Sequence, residues 1–185
     1  MKTTLEHIAT IQTGVFAKPV AEGQLVYLQA RHIDENGKIA GLLHPDLKAE
    51  DVNNKHILRP GDVLFAAKGS KNFAAVVEES NLSLVASTSF FVIRLKDDKV
   101  LSKYLVWYMN IATTQALLKS TAIGSSMVSI PKSTLEKLEI PIPDIQTQKA
   151  ILEIVNYRNR EKELKQKIET LREIIIQQKI VNVLK

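Results

Sequence analysis

The stretch that most strongly determines the architecture is Gln146–Lys185, QTQKAILEIVNYRNREKELKQKIETLREIIIQQKIVNVLK. It contains neither glycine nor proline, so no residue in it interrupts an α-helix. Four of its apolar residues follow the four-three-four spacing of a coiled-coil seam: Leu164, Ile168, Leu171 and Ile175. A helix of this length spans about 60 Å, more than one small domain can cover. The sequence therefore predicts a long C-terminal helix that needs a partner surface.

The rest of the chain, residues 1–145, is nearly neutral. It carries 16 lysine and arginine residues against 15 aspartate and glutamate residues, a net charge of +1, whereas residues 146–185 carry 9 against 5, a net charge of +4. Basic tails often bind nucleic acid, although a solvated helix face is the commoner explanation for such a charge. A binding site for a polyanion on residues 1–145 must therefore be a local patch.

The composition is typical of a globular protein of the cell interior. Hydrophobic residues make up 45% of the chain, which argues against disorder. No run of eighteen apolar residues occurs, and the N-terminus lacks the apolar core of a secretory signal. Because the chain has no cysteine, disulfides and thiolate metal sites are excluded. We expect a cytoplasmic protein without a membrane span.

Residues 1–145 mix strand and helix patterns. Strand-like composition occurs at residues 24–33, 63–67, 73–77 and 84–95, the last being the strongest candidate. Residues 102–118 switch to helical spacing, with Ser102 as the expected N-cap. The face expected to be buried comprises Leu105, Tyr108, Met109, Ala112, Ala116 and Leu117. Asn36-Gly37 is a hairpin signal, and the prolines in 138–143 require an extended segment.

Signatures of catalysis are missing from the sequence. Neither the Gly-Lys-Ser/Thr of a phosphate-binding loop, nor a Gly-x-Ser-x-Gly elbow, nor a glycine loop for S-adenosylmethionine is present. Asp46 with Asp97-Asp98-Lys99 loosely matches a nuclease pattern, but a turn after a strand is the simpler interpretation. Metal-ligand spacing is lacking among the histidines His7, His32, His44 and His56. We expect no catalytic residue, no metal and no cofactor.

Recognition chemistry is concentrated in residues 55–71, where five basic or histidine side chains accompany one acid, Asp62. The run Lys68-Gly69-Ser70-Lys71-Asn72 combines phosphate-seeking lysines with groups able to read base edges. The residues expected to bind DNA are Lys18, Gln29, Arg31, His32, Lys68, Ser70, Lys71, Asn72, Ser125 and Ser126. The alternative is an ordinary basic loop on the surface.

An ordered set of short motifs runs through the whole chain. They are Leu5-Glu6-His7-Ile8-Ala9, Thr13-Gly14, Tyr27-Leu28, Ile33-Asp34, Gly37-Lys38-Ile39, Leu58-Arg59-Pro60-Gly61-Asp62-Val63-Leu64, Gly124, Ile130-Pro131, Leu138-Glu139-Ile140-Pro141-Ile142-Pro143, and Gln148 with Ile151. In this order, followed by the long helix, they resemble half of a specificity subunit from Type I restriction-modification systems.

The resemblance implies an α+β protein with two parts. Residues 1–145 would form a mixed α/β target recognition domain with a strongly curved sheet, and residues 146–185 a spacer and dimerisation helix. Such a subunit is not an enzyme. It would read one half of a bipartite target in double-stranded DNA and recruit DNA methyltransferase (modification) subunits, with a motor-nuclease (restriction) subunit left open. The alternative function is a coiled-coil adaptor or oligomerisation protein without DNA sequence specificity.

Two features differ from the family pattern. The typical member has two recognition domains and two spacer helices, whereas this chain has one of each, and Thr147 stands where a glutamate is expected before Gln148. The missing half leads to the hypothesis that two copies pair antiparallel through their helices about a twofold axis, which would make the DNA half-sites inverted copies. Pairing with another half-subunit remains an alternative.

The expected dimer interface lies along one face of the C-terminal helix. Its residues are Ile154, Tyr157, Leu164, Ile168, Leu171 and Ile175. Glu161 and Gln178 fall at seam positions of the same heptad frame, where polar residues fix the register at some cost in stability. The alternative is that this seam packs on the chain's own domain.

Overall fold

The structure is a computed structural model of the chain. It describes residues 2–34, 37, 39, 42–69, 71–123 and 129–184. The chain divides into two compact units, Met1–Ile145 and Gln146–Lys185.

Eight strands and four helices precede the long C-terminal helix in the described residues. In chain order they are β1 Lys2–Thr4, α1 Leu5–Ile8, β2 Ala9–Thr13, β3 Val26–Leu28, β4 Val63–Ala66, β5 Ala74–Val76, β6 Leu84–Ala86, β7 Phe90–Leu95, α2 Ser102–Asn110, α3 Ala112–Ser120, α4 Lys132–Glu136, β8 Glu139–Pro141 and α5 Ile145–Val183. Three short 3-10 turns lie between β3 and β4, at Ala30–His32, Ala49–Asp51 and Asn54–His56.

The centre of the first unit is a four-stranded antiparallel sheet in the order β2-β7-β4-β5. Strand β4 is the most apolar and is buried along its whole length. Its Leu64 is paired with Val92 of β7 and with Ala75 of β5. Directly paired residues share a face of the sheet, so these three side chains lie together in one core cluster.

The strongest predicted strand, residues 84–95, is in fact two strands in two different sheets. Strand β6 pairs in parallel with β3, whereas β7 pairs with β2 and β4. Between them the chain turns, with Phe90 N–H donating to Ser87 O at 3.0 Å and the Ser87 and Ser89 hydroxyls 2.6 Å apart. The prediction of one strand was wrong because two sheets need partners from this one stretch.

Residues 24–33 also contain less strand than predicted, because β3 ends at Leu28 and a 3-10 turn follows it. The parallel pair β3–β6 covers a second core cluster, which comprises Leu25, Tyr27, Leu47, Val52 and Val85. Antiparallel pairing of Ile33 with Ile39 agrees with the predicted turn around Gly37, which has a φ of +75°. Asn36 lies outside the described residues.

The predicted helix 102–118 is interrupted at Ile111, which is extended at φ −67° and ψ 149°. Asn110 causes a tight connection there: its amide accepts a hydrogen bond from Ala74 N–H at 2.7 Å and donates one to Ala74 O at 2.8 Å. These two bonds attach the end of α2 to the backbone of edge strand β5.

The break changes which residues of the two helices are buried. Buried positions are Tyr104, Leu105, Met109, Thr114 and Leu118, whereas Ala112, Ala116 and Leu117 are exposed. The buried face predicted for one continuous helix is therefore wrong beyond Ile111. The N-cap prediction was also wrong, because Leu101 precedes the first turn and the Ser102 hydroxyl instead donates to Gly61 O at 2.6 Å.

The turn before β4 is held by a buried ion pair. Asp62, with 2% of its surface exposed, accepts hydrogen bonds from Arg94 Nε at 2.7 Å and Nη2 at 2.6 Å, and from Arg59 N–H at 2.8 Å. The hydrogen bond to Asp62 is the main reason why the pKa of Arg94 is raised. Gly61, at φ +89°, provides the left-handed conformation that the turn needs.

The segment 138–143 is extended, as its prolines predict. Strand β8 pairs antiparallel with β1, with Lys2 opposite Pro141. A proline is tolerated at this position because each strand of a two-stranded sheet is an edge strand. In the part of the chain that the structure describes, no helix has the length and hydropathy of a membrane span.

The second unit is a single helix, α5, of 39 residues, which corresponds to about 58 Å. The prediction of a mixed α/β fold followed by a long C-terminal helix is confirmed. Ion pairs within the helix join Arg160 to Glu163 at 3.6 Å, Lys165 to Glu161 at 2.6 Å, and Arg172 to Glu169 at 3.7 Å. The hydrogen bond from Lys165 is the first cause of the lowered pKa of Glu161.

Candidate nucleic-acid interface

Two loops and one helix end of the first unit border a cleft of about 540 Å³. One loop follows β3, the other connects β4 to β5, and the helix is α3. The lining residues are Ala30, Ile33, Asp34, Lys68, Gly69, Lys71, Asn72, Phe73 and Lys119. The fold therefore brings Lys68, Lys71 and Asn72 from the predicted set into one cleft.

The β4–β5 loop is closed at its base by hydrogen bonds. Ala66 N–H donates to Phe73 O at 2.8 Å, and the Asn72 amide donates to Ala66 O at 2.9 Å. Asn72 is only 9% exposed. The amide group that the sequence offered for base reading is thus engaged within the loop, where it fixes the loop's shape. Lys68 and Lys71, which precede Asn72 in the same loop, are exposed.

Gly69 has a φ of +110°, a backbone conformation that residues other than glycine rarely adopt. A Cβ added to it would meet no atom within 4 Å. Glycine is therefore required at this position by backbone conformation and not by lack of space. Ser70 lies outside the described residues.

The loop after β3 is shaped by a reciprocal capping arrangement. The Gln29 side chain accepts from the backbone of His32, and the His32 Nδ1 accepts from Gln29 N–H at 3.3 Å. Burial, followed by the neighbouring Arg31, lowers the pKa of His32, whereas Asp46 acts in the opposite direction. The lowered pKa favours the neutral imidazole of His32, and Arg31 is an exposed cation of the same loop.

Of the remaining predicted DNA-binding residues, the structure describes Lys18. Lys18 is exposed between β2 and β3 and does not line the cleft. Ser125 and Ser126 lie outside the described residues, but the described ends of their segment are well placed. Ile123 pairs with Ser129, and Ser129 pairs with Lys68, so these ends lie beside the β4–β5 loop.

Lys119 is the cleft residue that sequence reasoning missed. It lies in the last turn of α3, one position beyond the predicted end of the helix. Nothing in the local sequence separates it from other exposed lysines. Only the tertiary fold brings the end of α3 to the β4–β5 loop.

The six predicted dimer-interface residues all lie on α5. Their exposed fractions in the single chain are 60% for Ile154, 72% for Tyr157, 47% for Leu164, 49% for Ile168, 50% for Leu171 and 51% for Ile175. Among the described residues, no group of three or more histidine, cysteine, aspartate or glutamate side chains could hold a metal ion.

The sequence of residues 27–170 matches the family described as the Type I restriction modification DNA specificity domain. This match covers well over half of the chain. The chain belongs to this family. The resemblance inferred from the ordered motifs is thereby confirmed. No curated protein sequence matches the chain.

Solved specificity subunits have the same fold. The Type I restriction-modification S subunit from M. genitalium is 18% identical, with a TM-score of 0.60 over 86% of this chain and 39% of that one. The HsdS subunit from Thermoanaerobacter tengcongensis is 18% identical, with a TM-score of 0.63 over 87% and 37%. A chain from a structure concerned with complex assembly and conformational transition of the type I R-M system is 16% identical, with a TM-score of 0.64 over 87% and 38%. This chain therefore spans less than two fifths of the length of each.

Proposed function

We propose that this chain is a DNA-reading subunit that recognises one half of a bipartite target in double-stranded DNA. The observation that carries the proposal is the cleft between the β3 and β4–β5 loops, in a domain of the specificity family. The chain would act in the cytoplasm. Methyl transfer and cleavage would be carried out by partner subunits.

The local charge around the cleft supports DNA as the ligand. Residues 1–145 carry a net charge of only +1, yet Lys68, Lys71 and Lys119 share one cleft. Arg31 adds a fourth cation from the adjoining loop. Asp62 is paired with Arg94, and Asp34 is the acid of the cleft lining, so three lysines and one aspartate leave the lining a net charge of +2. A concentrated positive patch on a nearly neutral body favours contact with a polyanion.

Selection from a pool of random duplexes tests this proposal with the full chain. We expect enrichment of two short specific blocks separated by a fixed gap. If no sequence is enriched and affinity does not fall with salt, the DNA-reading proposal is wrong. That outcome would favour the alternative suggested by the α5 seam, an oligomerisation protein without sequence specificity.

We further propose that a second copy of the chain covers the α5 seam. The six seam residues are about half or more exposed in one chain, and a single heptad seam cannot bury itself. Two helices paired antiparallel about a twofold axis would bury both seams. The two recognition domains would then read inverted half-sites at a fixed separation.

Sedimentation at micromolar concentration tests the dimer. We expect wild type to sediment as a dimer and Ile168→Asp, which places a charge in the seam, as a monomer. Gln166→Asp is the matched control, because it adds the same charge two residues away on the outer face of the helix. A monomeric wild type, with or without DNA, would exclude self-pairing.

The proposed partners are DNA methyltransferase subunits, with a restriction subunit as a further one. In this role the chain positions DNA and supplies no catalytic group. We expect no adenine methylation by the chain with S-adenosylmethionine, and methylation at the selected target once the modification subunit is added. Methylation by the chain alone would contradict the non-catalytic role.

A further inference from the structure

The cleft contains a lysine that the predicted recognition set lacks. Lys68 and Lys71 come from the β4–β5 loop, whereas Lys119 comes from α3, 48 residues after Lys71. Each lysine presents N–H donors and no acceptor, and acts as a compact point charge. Three such groups around one space favour an oxyanion over the mixed donor and acceptor edge of a base.

Most of the other lining groups offer no hydrogen bond to a base edge. Ala30, Ile33 and Phe73 are apolar, and Gly69 has no side chain. The Asn72 amide nitrogen is engaged by Ala66 O. Asp34 is the acid of this lining, and it makes a contact of its own. Apolar walls lower the local dielectric constant, which strengthens attraction between the lysines and an anion.

The last turn of α3 holds the backbone of Lys119 in place. Leu118 is fully buried, which anchors the last turn. The hydroxyls of Ser120 and Thr121 donate to Leu117 O at 2.7 Å and to Leu118 O at 2.8 Å, respectively, so two terminal carbonyls have partners. A lysine at a helix C-terminus also interacts favourably with the helix dipole. The competing explanation is that Lys119 only stabilises the end of α3. A test must distinguish that role from contact with a bound anion.

We propose that Lys68, Lys71 and Lys119 bind a phosphodiester segment of one DNA strand. The cleft then anchors the duplex without reading its sequence, and base reading belongs to neighbouring side chains of the β3 loop. This inference rests on the proposed function and assigns a ligand class to one part of that surface.

The test measures affinity of the full chain against salt concentration, for the selected duplex and an unrelated duplex of equal length. We expect Lys119→Gln to reduce the slope of log affinity against log salt by about 1 and to weaken binding of both duplexes equally. If the slope changes by 0.9, the ratio of wild-type affinity to variant affinity falls about 3.5-fold between 50 and 200 mM salt. Lys119→Arg keeps the charge and should keep the wild-type slope.

Lys137→Gln is the matched control, because Lys137 is also exposed at a helix C-terminus but lies outside the cleft. We expect it to leave affinity and slope unchanged. An unchanged slope in Lys119→Gln, an equal change in the control, or a loss confined to the selected duplex would each overturn the phosphate assignment. If wild type itself shows no salt-dependent binding, the proposed function fails along with it.

Discussion

Replacing Asp62 with alanine should destabilise the first unit severely, although Asp62 does not line the cleft. The carboxylate is 2% exposed and accepts two hydrogen bonds from the Arg94 guanidinium and one from Arg59 N–H. Removing it leaves a cation without its partner and a backbone N–H without its acceptor. Both groups belong to the elements that begin and flank β4.

The magnitude follows from the burial of the two partners. Breaking a buried ion pair by removing one partner costs about 3–5 kcal/mol. The Arg94 side chain keeps 27% exposure, so water restores part of its hydration. We therefore expect about 3 kcal/mol for Asp62→Ala. Asp62→Asn keeps the shape and one acceptor oxygen, and should cost about 1.5–3 kcal/mol.

Urea unfolding followed by Trp107 fluorescence is the suitable assay, because the single tryptophan lies on α2 in the first unit. Glu78→Ala is the control: Glu78 pairs with Lys103 at 3.1 Å with both side chains about two-thirds exposed, so the loss should be about 0–1 kcal/mol. The double variant Asp62→Ala with Arg94→Met should be more stable than the sum of the single losses implies. A cost below about 1 kcal/mol for Asp62→Ala, or strict additivity in the cycle, would refute this reasoning.

Three further predictions concern the lysines of the cleft, the end of α2 and the C-terminal helix. Lys68→Ala and Lys71→Ala should each weaken DNA binding by the assembled complex, measured by fluorescence anisotropy; unchanged affinity in both would place the recognition surface elsewhere. Asn110→Ala should cost about 2 kcal/mol in urea unfolding, because it removes both partners of the Ala74 backbone, and a loss near zero would show that water replaces them. Higher salt should strengthen self-association in sedimentation, because residues 146–185 carry +4 per copy; weakening would indicate attractive charge pairs across the seam.

Patterns that act over a few residues were enough to predict much of the fold. The absence of helix breakers and the seam spacing predicted α5, and the prolines of 138–143 predicted an extended segment. The composition of residues 63–67 predicted a strand, which corresponds to β4, Val63–Ala66. In each case the deciding interaction is local or depends on burial alone, so one stretch of sequence contains the information.

Several of the failures involve partners that are distant in sequence. The division of residues 84–95 depends on β3 and β2, which take different halves of it. The break after α2 depends on Ala74, to which Asn110 bonds across 36 residues. Lys119 joins the cleft only because α3 ends beside the β4–β5 loop. Composition can suggest that a loop is basic, but it cannot give the third lysine, which the chain brings from another element.

The β4–β5 loop is attached to the domain mainly through backbone atoms. Ala66 N–H bonds to Phe73 O, Ala67 N–H to Ser89 O, and Ile130 N–H to Ala67 O, at 2.8, 3.0 and 2.9 Å. Among the described side chains from Lys68 to Asn72, that of Asn72 closes the loop through its hydrogen bond to Ala66 O. Backbone hydrogen bonds do not depend on which side chain a residue carries. Substitutions at Lys68 and Lys71 should therefore alter DNA contacts without altering the fold. The buried pair of Asp62 and Arg94 secures the start of β4, and the backbone bonds secure its end, which leaves the exposed side chains of the loop available for the proposed DNA contact.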